Sequence, residues 1–270
     1  MALQNLGLAL RLTGDAPAAE RTLIQAVEWA NASPNRTSLF NAYIQLGDLS
    51  LERGNLAQAE NQYQQIIRAV EDDPTLSYMP QVAFAHSAYA TVFYYRNEHA
   101  QALAHVQKGR DLSTHIPNAP IQSDAYSLLS KLYAAQGNWA QAYAVINDVI
   151  ATAQAHEADM RLARFERSRA LLDIEAGNLS AAEQWVTKRQ LSTDTPVTSQ
   201  TYFEFLAIAR LRLAQARYVE AAERLDQIEA SLPTRYRVHA HWTCRLLRAR
   251  LHAANGRKNA ALPLLQTIVD

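Results

Sequence analysis

One register, kept through seven copies, limits what this 270-residue chain can fold into. Seven short segments look alike: GDAPAA from Gly14, GNLAQA from Gly54, NEHAQA from Asn97, GNWAQA from Gly137, GNLSAA from Gly177, ARYVEA from Ala216 and GRKNAA from Gly256. Their spacings are 40, 43, 40, 40, 39 and 40 residues. Five residues after each start stands an alanine: Ala19, Ala59, Ala102, Ala142, Ala182, Ala221 and Ala261. Seven residues before it stands a small residue: Gly7, Gly47, Ala90, Ser130, Ala170, Ala209 and Ala249. Nine after it comes an apolar one: Leu23, Tyr63, Val106, Ile146, Val186, Leu225 and Leu265. Internal periods of this length mark stacked supersecondary units.

Each phase has a physical meaning. Glycine or asparagine at the start ends a helix in the left-handed conformation that most residues avoid. The small residue before it and the alanine after it belong where two antiparallel helices approach most closely. The apolar residue one turn later fills the space between them. Such a hairpin cannot bury its apolar face alone and must stack on neighbours.

The prolines fit the same frame. Pro34, Pro74, Pro117, Pro120, Pro196 and Pro233 fall between one hairpin and the next, where no helical hydrogen bond is lost. Pro80 lies near the start of a first helix and Pro17 in the first turn of a second one, where proline is tolerated. Pro263 is the exception and predicts a kink or a fraying point.

The expected fold is all-α: a right-handed superhelical solenoid of seven tetratricopeptide-like hairpins, period about 40 residues. First helices are predicted near 2–13, 36–53, 79–96, 120–136, 159–176, 198–215 and 236–255, with second helices near 16–32, 56–72, 98–115, 139–156, 179–190, 218–231 and 258–269. The repeats then run 1–33, 34–74, 75–117, 118–157, 158–195, 196–232 and 233–270 of a single helical repeat domain. The chain begins inside a first helix and stops in a second, without capping helices, so a fragment of a larger protein is expected.

Composition narrows the function classes. Lysine and arginine number 26, as do aspartate and glutamate, so no global field draws the chain to nucleic acid or membrane. The balance is uneven along the chain: residues 1–150 hold 9 basic and 13 acidic side chains, residues 151–270 hold 17 and 13. Of those 17, 15 are arginine. One cysteine, Cys244, forbids an internal disulfide and suits a cytoplasmic setting. No apolar run is long enough to span a bilayer, and the N-terminus does not read as a signal peptide.

Chemistry is sparse. Of the eight glycines, five stand at hairpin turns, Gly7 and Gly47 at close helix contacts, and only Gly109 is unassigned. Neither glycine-rich phosphate loop can be assembled from them. His241 and Cys244 have a spacing that could share a metal face, but Arg248 intrudes and His252 is two turns away, so a buried thiol and amphipathic histidines are expected. The other histidines stand singly, and Asp72–Asp73 read as a solvated loop. No enzyme, no cofactor and no metal is expected.

Tetratricopeptide stacks carry their first helices on the concave face. Helical periodicity puts Asn41, Asp48, Phe84, Thr91, Tyr94, Tyr95, Asp124, Lys131, Arg164, Arg167, Phe203, Arg210 and Arg250 there. Aromatic and acidic groups come early and arginines late. Arginine suits bidentate contact with carboxylate or phosphate, and aromatics suit stacking. The structural alternative is ordinary exposed charge with partners such as Glu166 and Glu175.

Leu46-Gly47, Gly54, Ala59 and Tyr63 match the tetratricopeptide consensus, as do Leu6-Gly7, Gly14 and Ala19. The 40-residue period approaches HEAT and armadillo units, whose proline and Asp/Arg positions are not found. Phe203–Leu232 and Arg245–Asp270 resemble the helical repeat domain of MalT-like transcription activators of the LuxR class, with their runs of the type LARxxLAQGRxxEAxxLL. Ala216 stands where that family has glycine. The resemblance implies a parent protein with a nucleotide-binding module before this domain and a helix-turn-helix DNA reader after it. It also implies a small-molecule inducer or a protein or peptide partner in the groove, self-association of the parent, and no direct nucleic-acid contact by this part. The alternative is a tetratricopeptide interaction scaffold without small-molecule sensing.

The register makes an energetic prediction. Ala142→Leu or Ala182→Leu should destabilise the fold by about 1–3 kcal/mol, because added carbons enter a helix contact that cannot open. Ala151→Leu, at a looser outer position, should be nearly silent. Urea melts giving equal losses at all three positions would refute the register.

Overall fold

The computed structural model describes residues 2–33, 35–113, 122–155, 159–191, 195–198, 201–231 and 238–269. The described residues hold fourteen α-helices and no strand. In chain order they are α1 (Ala2–Thr13), α2 (Ala16–Asn31), α3 (Arg36–Glu52), α4 (Leu56–Asp72), α5 (Pro80–Tyr95), α6 (His99–Ser113) and α7 (Gln122–Ala135). There follow α8 (Trp139–Ala155), α9 (Asp159–Glu175), α10 (Leu179–Arg189), α11 (Tyr202–Ala214), α12 (Tyr218–Ser231), α13 (Val238–Ala254) and α14 (Lys258–Val269). The fold is an all-α helical repeat solenoid.

All seven hairpin turns are built alike. Gly14, Gly54, Asn97, Gly137, Gly177, Ala216 and Gly256 all have positive φ. The next residue's N–H reaches back five residues, as in Asn55 N to Ser50 O at 2.8 Å, while the turn residue's own N–H reaches back three, as in Gly54 N to Leu51 O at 3.0 Å. This double closure satisfies carbonyls that the helix end leaves open. In three turns the residue after glycine also caps the second helix: Asp15, Asn55 and Asn138 accept from the backbone N–H three residues on.

Ala19, Ala59, Ala102, Ala142, Ala182 and Ala221 are wholly buried, while Ala151 is exposed. The small residue of the first helix meets the apolar residue of the second. A Cβ on Gly7 would lie 2.6 Å from Leu23 Cδ2, and one on Gly47 would run into the ring of Tyr63. Ala90 and Val106 share a core cluster, as do Ala209 and Leu225. Gly109 makes a contact of the same kind on α6: a Cβ there would strike Ser87 Oγ and lie 2.8 Å from the Ala83 carbonyl oxygen on α5. The register weakens in two places. Trp185 lies deeper than Val186, and Leu265 is 38% exposed on α14.

Some joints differ from expectation. A short 3₁₀ turn, Pro74–Tyr78, precedes α5, and α11 begins at Tyr202 rather than near 198. Pro80 and Pro17 open α5 and α2 as expected. α14 continues through Pro263 to Val269. Pro34, Pro117, Pro120 and Pro233 lie outside the described residues.

The described chain divides into two compact units, Met1–Val149 and Ile150–Asp270. In the first, α1 packs on α3, α3 on α5 and α5 on α7. In the second, α9 packs on α11 and α11 on α13. Among the described residues no second helix packs substantially on the next second helix. Within each unit, then, the first helices form the continuous layer, and the core is a series of small clusters handed from one hairpin to the next.

The turns yield a test. Ala216 adopts a φ of 58°, a conformation that costs a residue with a Cβ about 1 kcal/mol. Ala216→Gly should therefore stabilise the chain by about 0.5–1 kcal/mol, and Gly177→Ala should destabilise it by a similar amount. Thermal melts in which both substitutions act in the same direction would contradict the turn geometry.

Candidate functional site

Polar chemistry in the first unit mostly holds helices together. Asp48 accepts from the Tyr63 hydroxyl at 2.9 Å and from Arg11 Nη1 at 3.2 Å, so this acid braces α1, α3 and α4. Asn41 accepts from Gln81 Nε2 at 3.1 Å, joining α3 to α5. Tyr89 donates to Glu60 at 2.6 Å and accepts from Gln64 at 2.7 Å, while Arg96 pairs with Glu60 at 2.6 Å. The Tyr89 hydroxyl, helped by Arg96, holds the Glu60 carboxyl below the usual range.

Of the aromatic residues expected in a groove, Phe84 is half-buried and packs with Leu112 on Ala83. Tyr94 is half-buried against the α5–α6–α7 core and stacks on His99, with ring centroids 5.9 Å apart. Tyr95 is 47% exposed and lies 6.0 Å from Tyr94. Lys131 is half-buried on α7. The Asp124 side chain lies outside the described residues.

One cluster was not visible as such in the sequence. His86 on α5 and His105 on α6 meet at 3.0 Å between their Nδ1 atoms. The ring centroids are 5.2 Å apart, so the two nitrogens point at each other as donor and acceptor of an N–H···N bond. Tyr89 and Phe93 flank His105 at 4.7 and 5.2 Å. The expectation that the histidines stand singly is corrected here: a separation of nineteen residues across a hairpin has no short-range signature. Burial, then His105, then Lys108 push His86 down to about 4, and burial lowers His105.

The second unit is the richer in arginine, and several of these are held by carboxylates. Arg212 on α11 is buried and binds both carboxylate oxygens of Glu183 on α10, Glu220 on α12 at 3.1 Å and Gln215 at 2.8 Å. Arg248 on α13 grips Asp226 at 2.7 Å and Glu229 at 2.9 Å on α12. Cys244, beside it, is buried with Leu225, Ile228 and Leu247, and burial pushes its thiol up to about 12. The His241 side chain lies outside the described residues, and His252 is half-buried.

Arg167 on α9 is different. Its guanidinium stands 4.9 Å from the centre of the Phe203 ring on α11, and among the described residues it has no carboxylate within salt-bridge distance. Glu204, next to Phe203, is engaged by Arg189 at 2.7 Å, and Glu166 by Lys188 at 2.6 Å. Burial first, and Arg164 one turn earlier second, lower the pKa of Arg167. Arg164, Arg167 and Phe203 are thus brought together across α9 and α11. Arg210 is half-buried two turns further along α11, and Arg250 is exposed on α13.

The helical hairpins, their left-handed turns and the layered first helices define a tetratricopeptide-type repeat protein. The chain belongs to the family described as the MalT-like TPR region, which matches residues 1–270. No curated protein sequence matches it. Among solved structures it is similar to a tetratricopeptide repeat protein from Parabacteroides merdae, 16% identical, with a TM-score of 0.56 over 99% of this chain and 91% of that one. That likeness concerns the fold. Among the described residues no helix is long and apolar enough to cross a membrane.

The histidine pair sets an acid limit on stability. His86 titrates below 6.5, so in acid the unfolded chain takes up the proton first. The stability it contributes is complete above pH 6.5 and is lost as pH falls towards about 4. Between neutral pH and pH 4 that loss should reach up to about 3 kcal/mol. His86→Gln with His105→Gln should flatten this part of the profile. An unchanged acid limb in the double variant would contradict the assignment.

Proposed function

We propose that this chain is the regulatory sensor and interaction domain of a MalT-like transcription activator, and that it acts as one helical repeat domain. It binds an inducer or a regulatory protein along its first helices and thereby controls self-association of the parent protein. The structural observation that carries this reading is the meeting of Arg164, Arg167 and Phe203 between α9 and α11. These side chains stand on α9 and α11, two first helices that pack on each other. Family membership over residues 1–270 supports the repeat scaffold on which the reading is built. The reading also takes in Arg210 and Arg250 of the second unit, and Phe84, Tyr94, Tyr95, Asp124 and Lys131 of the first. The scaffold itself is of the protein-interaction kind, typically non-catalytic, and needs no cofactor for this role.

Sensing and pure scaffolding differ in an observable way. Saccharides, organic acids and nucleotides are titrated against the chain while its melting is followed. A specific inducer should raise Tm with concentration, corresponding to about 2.7 kcal/mol at a hundredfold excess over Kd. If no compound does so while a partner protein binds the chain, small-molecule sensing is wrong and the interaction scaffold without sensing remains.

A further inference from the structure

We infer that Arg167, Arg164 and Arg189, with the ring of Phe203, form a binding site for a small ligand carrying a carboxylate or phosphate group. The inference rests on the sensor reading above and names the chemistry that the site recognises.

Three observations support it. Arg167 is half-buried, yet among the described residues its only direct partner is the face of Phe203. Four other half-buried or buried arginines of this unit have a carboxylate: Arg212 has Glu183 and Glu220, Arg248 has Asp226 and Glu229, Arg169 has Asp173, and Arg189 has Glu204. Arg224, over the Phe205 ring at 5.4 Å, has Gln227 as a further partner, which Arg167 lacks among the described residues. Like charge also bears on Arg167. Glu204 is the one carboxylate among the named influences on Arg167, against Arg164 and Arg189, which both act to remove its proton. Finally, Arg189 reaches Glu204 through Nη2, while its buried Nε has no hydrogen-bond partner among the described residues. A guanidinium whose donors are unfilled and whose face is fixed on a ring is pre-oriented for a planar oxyanion. Phe203, 42% exposed, leaves apolar ring surface for the rest of the ligand.

The chemistry at issue is the oxyanion, which a carboxylic acid or a phosphate ester could present. The probes are therefore citrate, benzoate, inorganic phosphate and adenosine monophosphate, each titrated calorimetrically into the whole chain at constant ionic strength, with chloride as the reference. At least one probe should bind saturably, and the stronger class identifies the group. Arg167→Ala and Arg164→Ala should each weaken that probe roughly 10- to 100-fold, the loss of one charged hydrogen bond. Arg167→Lys should recover part of the affinity, and Arg21→Ala, on α2 in the first unit, should change nothing. Arg167→Met should melt at or above the temperature of the parent chain, because an unpartnered charge leaves the half-buried position. Failure of all four probes to bind beyond chloride, or wild-type affinity in both alanine variants, would overturn the site. So would unfolding of Arg167→Met, which would make Arg167 structural. A neutral saccharide that raises Tm equally in Arg167→Ala would discard this site and leave the sensor reading standing.

Discussion

A first helix can lie against its partner only where the side chain between them is nearly absent. Gly7 faces Leu23, and Gly47 faces the ring of Tyr63, each pair sixteen residues apart across a hairpin turn. The other five hairpins keep that separation with Ala–Val, Ser–Ile and Ala–Leu pairs. Every pair sets a small residue against a larger one, and alanine also faces leucine at Ala209–Leu225. The interhelical gap is thereby fixed, and with it the length of turn needed to cross it and the left-handed residue that makes the crossing. Stacking follows, since a hairpin closed this way still has one apolar face unfilled.

The two units use charge in different ways. In the first, a hydroxyl and a guanidinium share each carboxylate: Tyr63 and Arg11 on Asp48, Tyr89 and Arg96 on Glu60. In the second, arginines bridge successive helices through bidentate or multiple contacts, as Arg212 does between Glu183 and Glu220. A half-buried pair is strong evidence of order only when its remaining donors are filled. By that criterion Arg212 and Arg248 serve the fold, whereas Arg167 is held by an aromatic face alone. The contrast separates arginines that tie neighbouring helices through carboxylates from one held by a ring.

Much of this was legible in the residues. The turn positions, including Ala216 where glycine is usual, all adopt the left-handed conformation, because the register fixes the turn more firmly than any one residue's preference does. The alanine phase was legible for the same reason. Helix ends at the joints were less so: α11 starts at Tyr202, preceded by Thr198 and Thr201, whose backbone N–H groups each donate to the other's hydroxyl. Contacts across hairpins were the least legible. His86 and His105 looked isolated, and Asp48, placed at a groove by periodicity alone, is taken by Tyr63 and Arg11. Periodicity assigns a face of a helix; it does not say which neighbour fills that face.

The central claim is that the contact between small and large residues sixteen apart sets the hairpin. A double-mutant cycle on Gly47 and Tyr63 tests it most directly. Gly47→Ala drives a Cβ into the Tyr63 ring and should destabilise the chain by about 1–3 kcal/mol. In the background of Tyr63→Ala, which removes the ring from that contact, the same alanine should cost far less, giving a coupling of at least about 1 kcal/mol. If the two substitutions add within about 0.3–0.5 kcal/mol, the pair does not act as a unit and the account of the hairpin is wrong.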